Sequence, residues 1–477
     1  MLFNSFDFFI FFPVVTLLYF LLPYKFRWLL LLAASCYFYM AFIPYYILIL
    51  GGTIVIDYFA GILIENSKNK KRRKSFLIMS LIANIGVLAV FKYYNFFIGN
   101  FEELCHSLGY SNPVPYLSII LPIGLSFHTF QAMSYTIEVY RGNFKAERHF
   151  GIYALYVMFY PQLVAGPIER PQNILPQLRK ENDISYDNVV SGLKMMLWGL
   201  FKKVVIADRL SVIVNYAYDQ PGNYDGFSLL LATYCFAFQI YCDFSGYSDI
   251  AVGAARVMGY DLMENFRTPY ISRSIKEFWE RWHISLSSWF RDYLYIPLGG
   301  NRVVKWRWYY NLFVVFLVSG FWHGANWTFI VWGALHGAYL VISLLLNEAF
   351  RKYLQIKNFF VNAVKVLFTF HLAAFAWIFF RSRNMHDAGT VIKKVFDPAN
   401  YSFSDVHLLK DVKPVWLLIT LALTAVFIIA DTSMDALVKK RIALPSRFAN
   451  LAVYAVILLL IVVFGYFGKT DFIYFQF

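Results

Sequence analysis

The stretch that decides the fold runs Gly320-Phe-Trp-His-Gly-Ala-Asn-Trp-Thr-Phe-Ile-Val-Trp-Gly-Ala-Leu-His336, where two histidines lie in apolar and aromatic sequence. An imidazole in hydrocarbon-like surroundings costs free energy unless it is hydrogen-bonded or lines a wet cavity. His323 is therefore a candidate functional residue, although a histidine that only ties helices together gives the same pattern. A second stretch, 276–292, places His283 among charges and tryptophans. Two such stretches so close in the chain indicate one site.

The composition around these stretches is typical of a membrane protein. Of 477 residues, 59% are hydrophobic and 15% are charged. Apolar runs of about twenty residues, the length that crosses a bilayer as a helix, alternate with short basic loops. No linker is long enough to separate two soluble domains. We therefore predict an all-α polytopic membrane protein with a single domain over 1–477 and a motif-bearing core at about 117–345.

The net charge of +14 comes from Lys and Arg in the loops between the apolar runs. The positive-inside tendency accounts for these loops, and no basic soluble domain is present to bind nucleic acid. The four cysteines form no CxxC pair, so neither a disulfide framework nor a zinc site is predicted. The first apolar run has no basic region before it and no small-residue cleavage signal, which predicts a retained first span.

Twelve apolar runs are predicted to cross or nearly cross the membrane. They cover 6–22, 26–43, 46–64, 75–98, 117–138, 192–215, 228–258, 309–324, 326–346, 361–380, 415–431 and 450–467. The basic run 68–74 is expected to stay cytoplasmic. Counting spans from it places four more basic segments inside: 25–27, 141–148, 351–357 and 439–447. The same count places both ends of the chain and the loop 381–413 outside.

Two regions lack the pattern of simple spans. In 153–177, two prolines and a glycine interrupt an apolar run, which predicts a re-entrant segment that is buried in protein or lines water. In 265–308, large apolar residues from Ile275 to Tyr293 recur at helical spacing. This spacing predicts one amphipathic helix on or in the cytoplasmic leaflet, ended by Pro297 and the glycines after it.

The search for standard catalytic motifs is negative. The sequence has no HExxH, GxSxG, Walker loop or GxGxxG. His323 and His336 are thirteen residues apart with no third ligand nearby, so no metal site is predicted. A histidine in such a setting is suited to move a proton, since its unperturbed pKa lies near 6.5. General-base catalysis by His323 is the favoured chemistry.

Six strings occur in one order along the chain. They are 121–142 (LPIGLSFHTFQAMSYTIEVYRG), 160–170 (YPQLVAGPIER), 241–249 (YCDFSGYSD), 278–287 (FWERWHISLS), 291–302 (RDYLYIPLGGNR) and 320–327 (GFWHGANW). Together they resemble the membrane-bound O-acyltransferase (MBOAT) family, in its alginate O-acetylase branch. One string is weak evidence, whereas six in order are specific. The resemblance implies a ring of transmembrane helices with re-entrant helices around a central tunnel.

The resemblance also implies an activity and its partners. His323 corresponds to the catalytic base of the family, and His283 corresponds to its polar partner. The implied reaction moves an acetyl group from cytoplasmic acetyl-CoA towards an extracellular polysaccharide, with acetyl-CoA as donor substrate and no cofactor. This branch works with an external SGNH-type acetyltransferase, which is expected to be a separate protein. The expected location is the bacterial cytoplasmic (inner) membrane.

Other residues are weaker candidates for the site. Asn326 or the His283 ring is a candidate donor to the developing oxyanion. His336, Asp243 and Asp249 are possible supporting residues, although the carboxylates suit helix–helix hydrogen bonding equally well. Four arginines are candidates for the donor phosphates, and anchoring at the cytoplasmic surface explains them as well: Arg267, Arg273, Arg281 and Arg291.

Two alternative functions fit part of the pattern. A D-alanyl-transferring MBOAT would share the histidines but take its donor from a carrier protein. A polysaccharide transporter or flippase would use charges at the membrane midplane and repeated halves. The string 322–327 favours the acetylating branch, and the absence of repeated halves argues against a transporter.

Overall fold

A computed structural model describes residues 1–119, 121–349, 358–401, 408–439, 447–468 and 472–473. Helices and their connections make up the described residues, and no β-strand occurs among them. The all-α prediction is therefore confirmed. The predicted inside segment 351–357 and most of 439–447 lie outside the described residues, and their side of the membrane stays a prediction.

The helices follow the predicted apolar runs closely. The first twelve are α1 (Phe6–Leu21), α2 (Tyr24–Met40), α3 (Tyr46–Asn66), α4 (Lys70–Leu88), α5 (Tyr94–Ser107), α6 (Leu125–Arg141), α7 (Phe150–Met158), α8 (Tyr160–Leu163), α9 (Pro171–Leu178), α10 (Tyr186–Leu200), α11 (Asp208–Asp219) and α12 (Gly226–Val257). The rest are α13 (Ile275–Arg281), α14 (Ile284–Phe290), α15 (Lys305–His323), α16 (Trp327–Ala349), α17 (Phe359–Arg381), α18 (Met385–Phe396), α19 (Leu408–Asp411), α20 (Pro414–Lys439) and α21 (Arg447–Phe464). Three π-helical turns continue α4, α10 and α14: Ala89–Tyr93, Phe201–Ala207 and Arg291–Tyr295.

Six helices of the described chain are long and apolar enough to cross a membrane. They are Tyr46–Asn66, Lys70–Ser107, Gly226–Val257, Trp327–Leu346, Phe359–Arg381 and Pro414–Met434. They match six of the twelve predicted spans, and the shorter apolar helices Phe6–Leu21 and Phe448–Phe464 match two more. Large apolar side chains such as Leu48, Phe368 and Ile429 are exposed, as expected of surfaces that face lipid. The chain is a multi-pass membrane protein.

The other four predicted spans form helices that fall below that length or hydropathy. They are occupied by α2, α6, α10 with α11, and α15. The span predicted over 117–138 begins as a helix only at Leu125. Gly124 precedes it in the left-handed conformation, with φ of 74°, and a Cβ there would come 2.8 Å from the Leu163 carbonyl oxygen, so this turn requires glycine.

The chain divides into two compact units, 1–196 with 250–263 and 197–249 with 264–477. The prediction of one domain over 1–477 stays a prediction. In the first unit, α3, α4 and α6 pack around a buried polar cluster, where Asp57 accepts hydrogen bonds from Ser80 and Asn84. The same unit contains the interruption predicted in 153–177, where α7 and α8 are short and buried.

The second unit is organised around the crossing of α15 and α16. Gly320 and Gly333 face each other there, and a Cβ on either would overlap a backbone carbonyl oxygen of the opposite helix. Small residues let helices in membranes approach closely enough for van der Waals packing. Gly320 and Gly333 therefore let α15, which carries His323, and α16, which carries His336, pack closely together.

The amphipathic helix predicted over 275–293 is not continuous, and that prediction is wrong. Two seven-residue helices, α13 and α14, are separated at Trp282 and His283, and a π-helical turn follows them. His283 has φ of 44°, in the left-handed region that a helix cannot use. The apolar spacing continues through the break, so periodicity alone gives no sign of it.

Candidate active site

His323 is the last residue of α15 and is 5% exposed. Three rings enclose its imidazole, with centroids 4.9, 5.0 and 5.4 Å away: Trp322, Trp332 and Phe380. Aromatic walls exclude water, and electrostatic interactions are stronger in such a site than in solvent. The apolar context that the sequence predicted is therefore present around the imidazole.

His336, on α16, contacts the same tryptophan. The Trp332 ring centroid lies 5.0 Å from the His323 ring and 5.0 Å from the His336 ring. His336 is fully buried, and its Nδ1 accepts a hydrogen bond of 3.3 Å from Trp279 Nε1–H. Because Nδ1 is an acceptor, neutral His336 carries its proton on Nε2. His336 thus lies one aromatic ring away from His323, in the surroundings of the site.

His283 is fully buried at the break between α13 and α14. Its ring meets Phe244 edge-on at a centroid distance of 4.6 Å and stacks on Phe266 at 6.2 Å. The predicted continuous helix would have carried His283 in its interior, and the structure instead places it at the break. A positive φ at a residue other than glycine costs about 1–3 kcal/mol and persists only where the surroundings determine it. The contacts that Asn265 makes hold His283 in this conformation.

Asn265 lies between α12 and α13 and was not a sequence candidate. Its Oδ1 is 3.0 Å from His283 Nδ1 and accepts hydrogen bonds from the Ser285 backbone N–H and hydroxyl at 3.3 and 3.0 Å. Its backbone carbonyl accepts the Ile284 N–H at 2.9 Å. Its side-chain Nδ2 donates to Ser248 Oγ at 3.2 Å. One asparagine therefore anchors His283 and the first two residues of α14.

A continuous aromatic cluster connects the two sequence-predicted catalytic histidines. From His283 it passes through Phe266 to Trp282 at 5.1 Å, and from Trp282 to Trp377 at 5.0 Å. Trp377 stacks on Trp332 at 5.7 Å, and Trp332 contacts His323. Trp282, Trp332 and Trp377 are all buried. The structure thus brings His283, His323 and His336 into one water-poor aromatic environment.

Asp243 and Asp249, on α12, bind lysines. Lys203 Nζ lies 2.7 Å from Asp243 and 2.7 Å from Asp208, and Lys202 Nζ lies 2.7 Å from Asp249. All these side chains are buried. The contacts neutralise charges between the π-helical turn after α10 and α12, which is helix–helix pairing. A supporting role of the two carboxylates at an imidazole stays a prediction. Lys202 and Lys203 were not among the predicted site residues. Charged residues are rare within a membrane span, so their position in the predicted span 192–215 could have indicated buried ion pairs.

Residues 472 and 473 also reach this part of the second unit. The Ile473 N–H donates to Asp243 Oδ2 at 2.8 Å. The Phe472 ring lies 4.7 Å from the Tyr247 ring and 5.9 Å from the Phe244 ring, between centroids. Both residues are buried. The contact between Phe472 and Phe244, the ring that faces His283, could not be predicted from the sequence, because more than two hundred positions separate the two residues.

Asn326 caps α16 and is not enclosed with His323. Its Oδ1 accepts the Thr328 N–H at 3.0 Å, and its Nδ2 donates to the Arg383 carbonyl at 2.7 Å. The first is the bond of a helix N-cap, and the second ties the cap to the residue 383 segment. Its role as an oxyanion donor stays a prediction, with one of its two amide protons already engaged.

Three of the four candidate arginines are exposed and Arg281 is half-buried. Three of the four pair with nearby carboxylates. The pairs are Arg267 with Glu264, Arg281 with Glu277 at 2.8 Å, and Arg291 with Asp292 at 2.8 Å. Arg273 is exposed, and its backbone N–H donates to Glu277. Surface pairs of this kind contribute at most about 1 kcal/mol each, so these cations remain available to an anionic ligand.

A cavity of about 470 Å³ lies beside the aromatic cluster. Its walls come from α13, α14, α15 and α16 and are mostly apolar. Trp279 and Phe316 on its wall both contact His336, and Ser319 lies one helical turn before His323. Lys276 and Arg291, both exposed, also line it. Within the described residues, no three His, Cys, Asp or Glu side chains are grouped to hold a metal ion.

Comparison with known proteins gives the family. The model of the MBOAT, membrane-bound O-acyltransferase family, matches residues 148–381, which include His283, His323 and His336. A probable alginate O-acetylase AlgI from Pseudomonas aeruginosa is 39% identical over 404 residues, covering 84% of this chain and 75% of that protein. A peptidoglycan O-acetyltransferase from Helicobacter pylori is 38% identical over 419 residues, covering 81% and 77%.

A more distant relative transfers a different group. The teichoic acid D-alanyltransferase of Bacillus subtilis is 27% identical over 294 residues, covering 58% of this chain and 73% of that protein. The relatives thus share acyl transfer as an activity, and the family match spans the three buried histidines. Together with the multi-pass helical fold, these similarities establish that the chain is an acyltransferase that belongs to the membrane-bound O-acyltransferase family.

Proposed function

We propose that this chain is an O-acetyltransferase of the bacterial cytoplasmic membrane. It takes an acetyl group from cytoplasmic acetyl-CoA and passes it through a tunnel towards an extracellular polysaccharide, by way of a separate SGNH-type partner protein. The observation that carries the proposal is the burial of His323 within aromatic walls beside a cavity, in a chain similar to O-acetyl-transferring relatives.

His323 is the proposed general base. Its imidazole takes the proton of the acceptor hydroxyl as the hydroxyl oxygen bonds to the thioester carbonyl carbon. When the tetrahedral intermediate collapses, the C–S bond breaks, and the thiolate leaves with the proton that His323 returns. No proton is gained or lost over the cycle. The aromatic enclosure supports this role, because it keeps water away from the thioester and so limits hydrolysis.

The cavity supports the choice of a CoA thioester as donor. Its apolar walls suit the pantetheine arm, and its volume lies in the usual range for small-molecule sites. Lys276 and Arg291 provide positive charge for the phosphates at its exposed side. The wall formed by Trp279, Phe316 and Ser319 would place the thioester end close to the helices that hold His336 and His323.

The acceptor is proposed from the relatives' names. Alginate and peptidoglycan are both extracellular glycans, so a polysaccharide hydroxyl is the common chemistry. A D-alanyl-transferring enzyme is the second candidate, favoured by the relative from Bacillus subtilis. Its lower identity and coverage make acetyl transfer the stronger proposal, and membership in an acyltransferase family favours either enzyme over a transporter.

The test uses membrane vesicles from cells that carry the chain and the SGNH partner encoded near it. Labelled acetyl-CoA on the cytoplasmic side should yield label as hydroxylamine-sensitive ester on the external side, and His323→Ala vesicles should yield almost none. D-Alanyl carrier protein is supplied to a parallel sample. Label from the carrier and none from acetyl-CoA would overturn the acetyl proposal in favour of D-alanyl transfer.

A further inference from the structure

The hydrogen bonds of Asn265 decide which nitrogen of His283 carries the proton. The Ser285 backbone N–H can only donate, so the Asn265 side-chain atom 3.3 Å from it is the carbonyl oxygen Oδ1. The amide nitrogen, on the other side, donates to Ser248 Oγ. His283 Nδ1 lies 3.0 Å from the same Oδ1. Since an oxygen of this kind only accepts, Nδ1 must carry the hydrogen.

This protonation state determines what the ring can offer to a substrate. A neutral imidazole has one N–H, and in His283 it is used by Asn265. The other nitrogen, Nε2, therefore presents a lone pair. Such a ring accepts a hydrogen bond from a hydroxyl but has no second N–H to give to an oxyanion.

The backbone holds this arrangement in place. The Ile284 N–H donates to the Asn265 carbonyl at 2.9 Å, and the Arg267 N–H donates to the Arg281 carbonyl at 2.9 Å. The segment 265–267 is thus bonded to the chain on both sides of His283. These bonds offset the cost of its positive φ and prevent the helical conformation that the sequence periodicity favours.

We infer that Asn265 is a positioning residue that fixes His283 as a hydrogen-bond acceptor for an N–H or O–H of the bound substrates, other than the reacting hydroxyl, in the proposed transfer. The inference rests on the proposed function and removes one role considered from sequence, the His283 ring as oxyanion donor. In this arrangement the group that His283 orients through Nε2 is a second N–H or O–H of the bound substrates, and the single proton of the reacting hydroxyl goes to His323. The hydroxyl makes no covalent bond to His283.

A double-mutant cycle tests the inference. Asn265→Leu keeps the approximate size of the side chain and removes the acceptor oxygen. It should lower kcat about tenfold, the value of one hydrogen bond, with the KM for the donor within about twofold. In a His283→Asn background the same substitution should change kcat little, because no imidazole remains to be oriented. Equal losses in both backgrounds would show a purely structural role and overturn the inference.

Two further comparisons keep the test decisive if Asn265→Leu does not fold. Asn265→Asp retains an acceptor oxygen and should keep most of kcat. Ser285→Ala removes one donor to Asn265 and should lower kcat about threefold only when His283 is present. The matched control is Ser288→Ala, which deletes a hydroxyl of the same helix that bonds the Ser285 carbonyl. Equal effects of the two serine substitutions would contradict the inference.

The readout separates this inference from the proposed function. Each variant is measured with labelled acetyl-CoA in vesicles and by ester release from the polymer in cells. If acetyl-CoA is not the donor, the wild-type chain fails in the first assay, and the cycle is still read in the second. If the wild-type protein is active but neither assay shows coupling between Asn265 and His283, only the role of Asn265 is refuted.

Discussion

Gly320→Ala tests whether the crossing of α15 and α16 sets the position of His323. A Cβ at Gly320 would overlap the Phe329 carbonyl oxygen and lie 3.0 Å from the Gly333 Cα. Non-bonded carbon atoms pack at about 3.5–4.0 Å, so the two helices would have to separate by about 1 Å. The overlapping atoms belong to the backbone, and no side-chain rotation can relieve the contact.

We expect two effects of this substitution. Added volume in a packed interface costs about 1–3 kcal/mol of stability. The kcat should fall about a hundredfold, because His323 is three residues from the contact and a displacement of about 1 Å has that effect on a positioned catalytic group. The assays are thermal unfolding in detergent and acetyl transfer by the folded fraction.

Gly86→Ala is the matched control for this prediction. It lies in α4, where a Cβ would meet nothing within 4 Å. Alanine is favoured over glycine inside a helix by about 1 kcal/mol, so this variant should be as stable and as active as the wild type. A folded Gly320→Ala protein with wild-type kcat would refute the argument that the glycine contact positions His323.

Three further predictions concern the site and the topology. His323→Ala should lose at least about a hundredfold in acetyl transfer. His283→Asn should retain more of the transfer activity. The variant with both substitutions should be little worse than His323→Ala alone, since residues that serve one step have non-additive effects. Full activity in folded His323→Ala protein would contradict the assignment of His323 as the base. Arg291→Gln should raise the KM for acetyl-CoA more than it lowers kcat, because contacts to the phosphates are equally strong in the ground state and the transition state. An unchanged KM would leave Arg291 with only an anchoring role at the membrane surface. In a background without the four native cysteines, a cysteine at Lys70 should be labelled only after the membrane is opened and one at Asn400 from outside; the reverse would invert the topology. Residues 402–405 of the same predicted external loop lie outside the described residues.

The helices were predictable because their signal is local. A run of about twenty apolar residues needs no partner to be recognised, and the spans over 46–64, 228–258 and 326–346 correspond to α3, α12 and α16 within a few residues. The interruption in 153–177 was also local, since a proline in a helix interior removes a hydrogen bond at its own position and disfavours the helix there. Long loops were less predictable: 381–413 contains α18 and α19.

The geometry of the site was less predictable because its causes are distant in sequence. The break at His283 depends on Asn265, eighteen residues earlier, and on the Arg267 to Arg281 backbone bond. Nothing in the composition of 258–274 distinguishes this asparagine from other polar loop residues. His336 shows the same limit, because its link to His323 runs through Trp332 and depends on how α15 and α16 cross.

The buried ion pairs show how such distant causes act on the site. Asp243 is held by Lys203 on one side and by the Ile473 N–H on the other, and the next residue, Phe244, presents its ring to His283. A buried carboxylate that loses its cation is left uncompensated, which costs about 3–5 kcal/mol. Rotation of α12 that would remove Phe244 from the imidazole must therefore break this pair. Asp243, a possible supporting residue in the sequence, thus fixes the helix face that packs against His283.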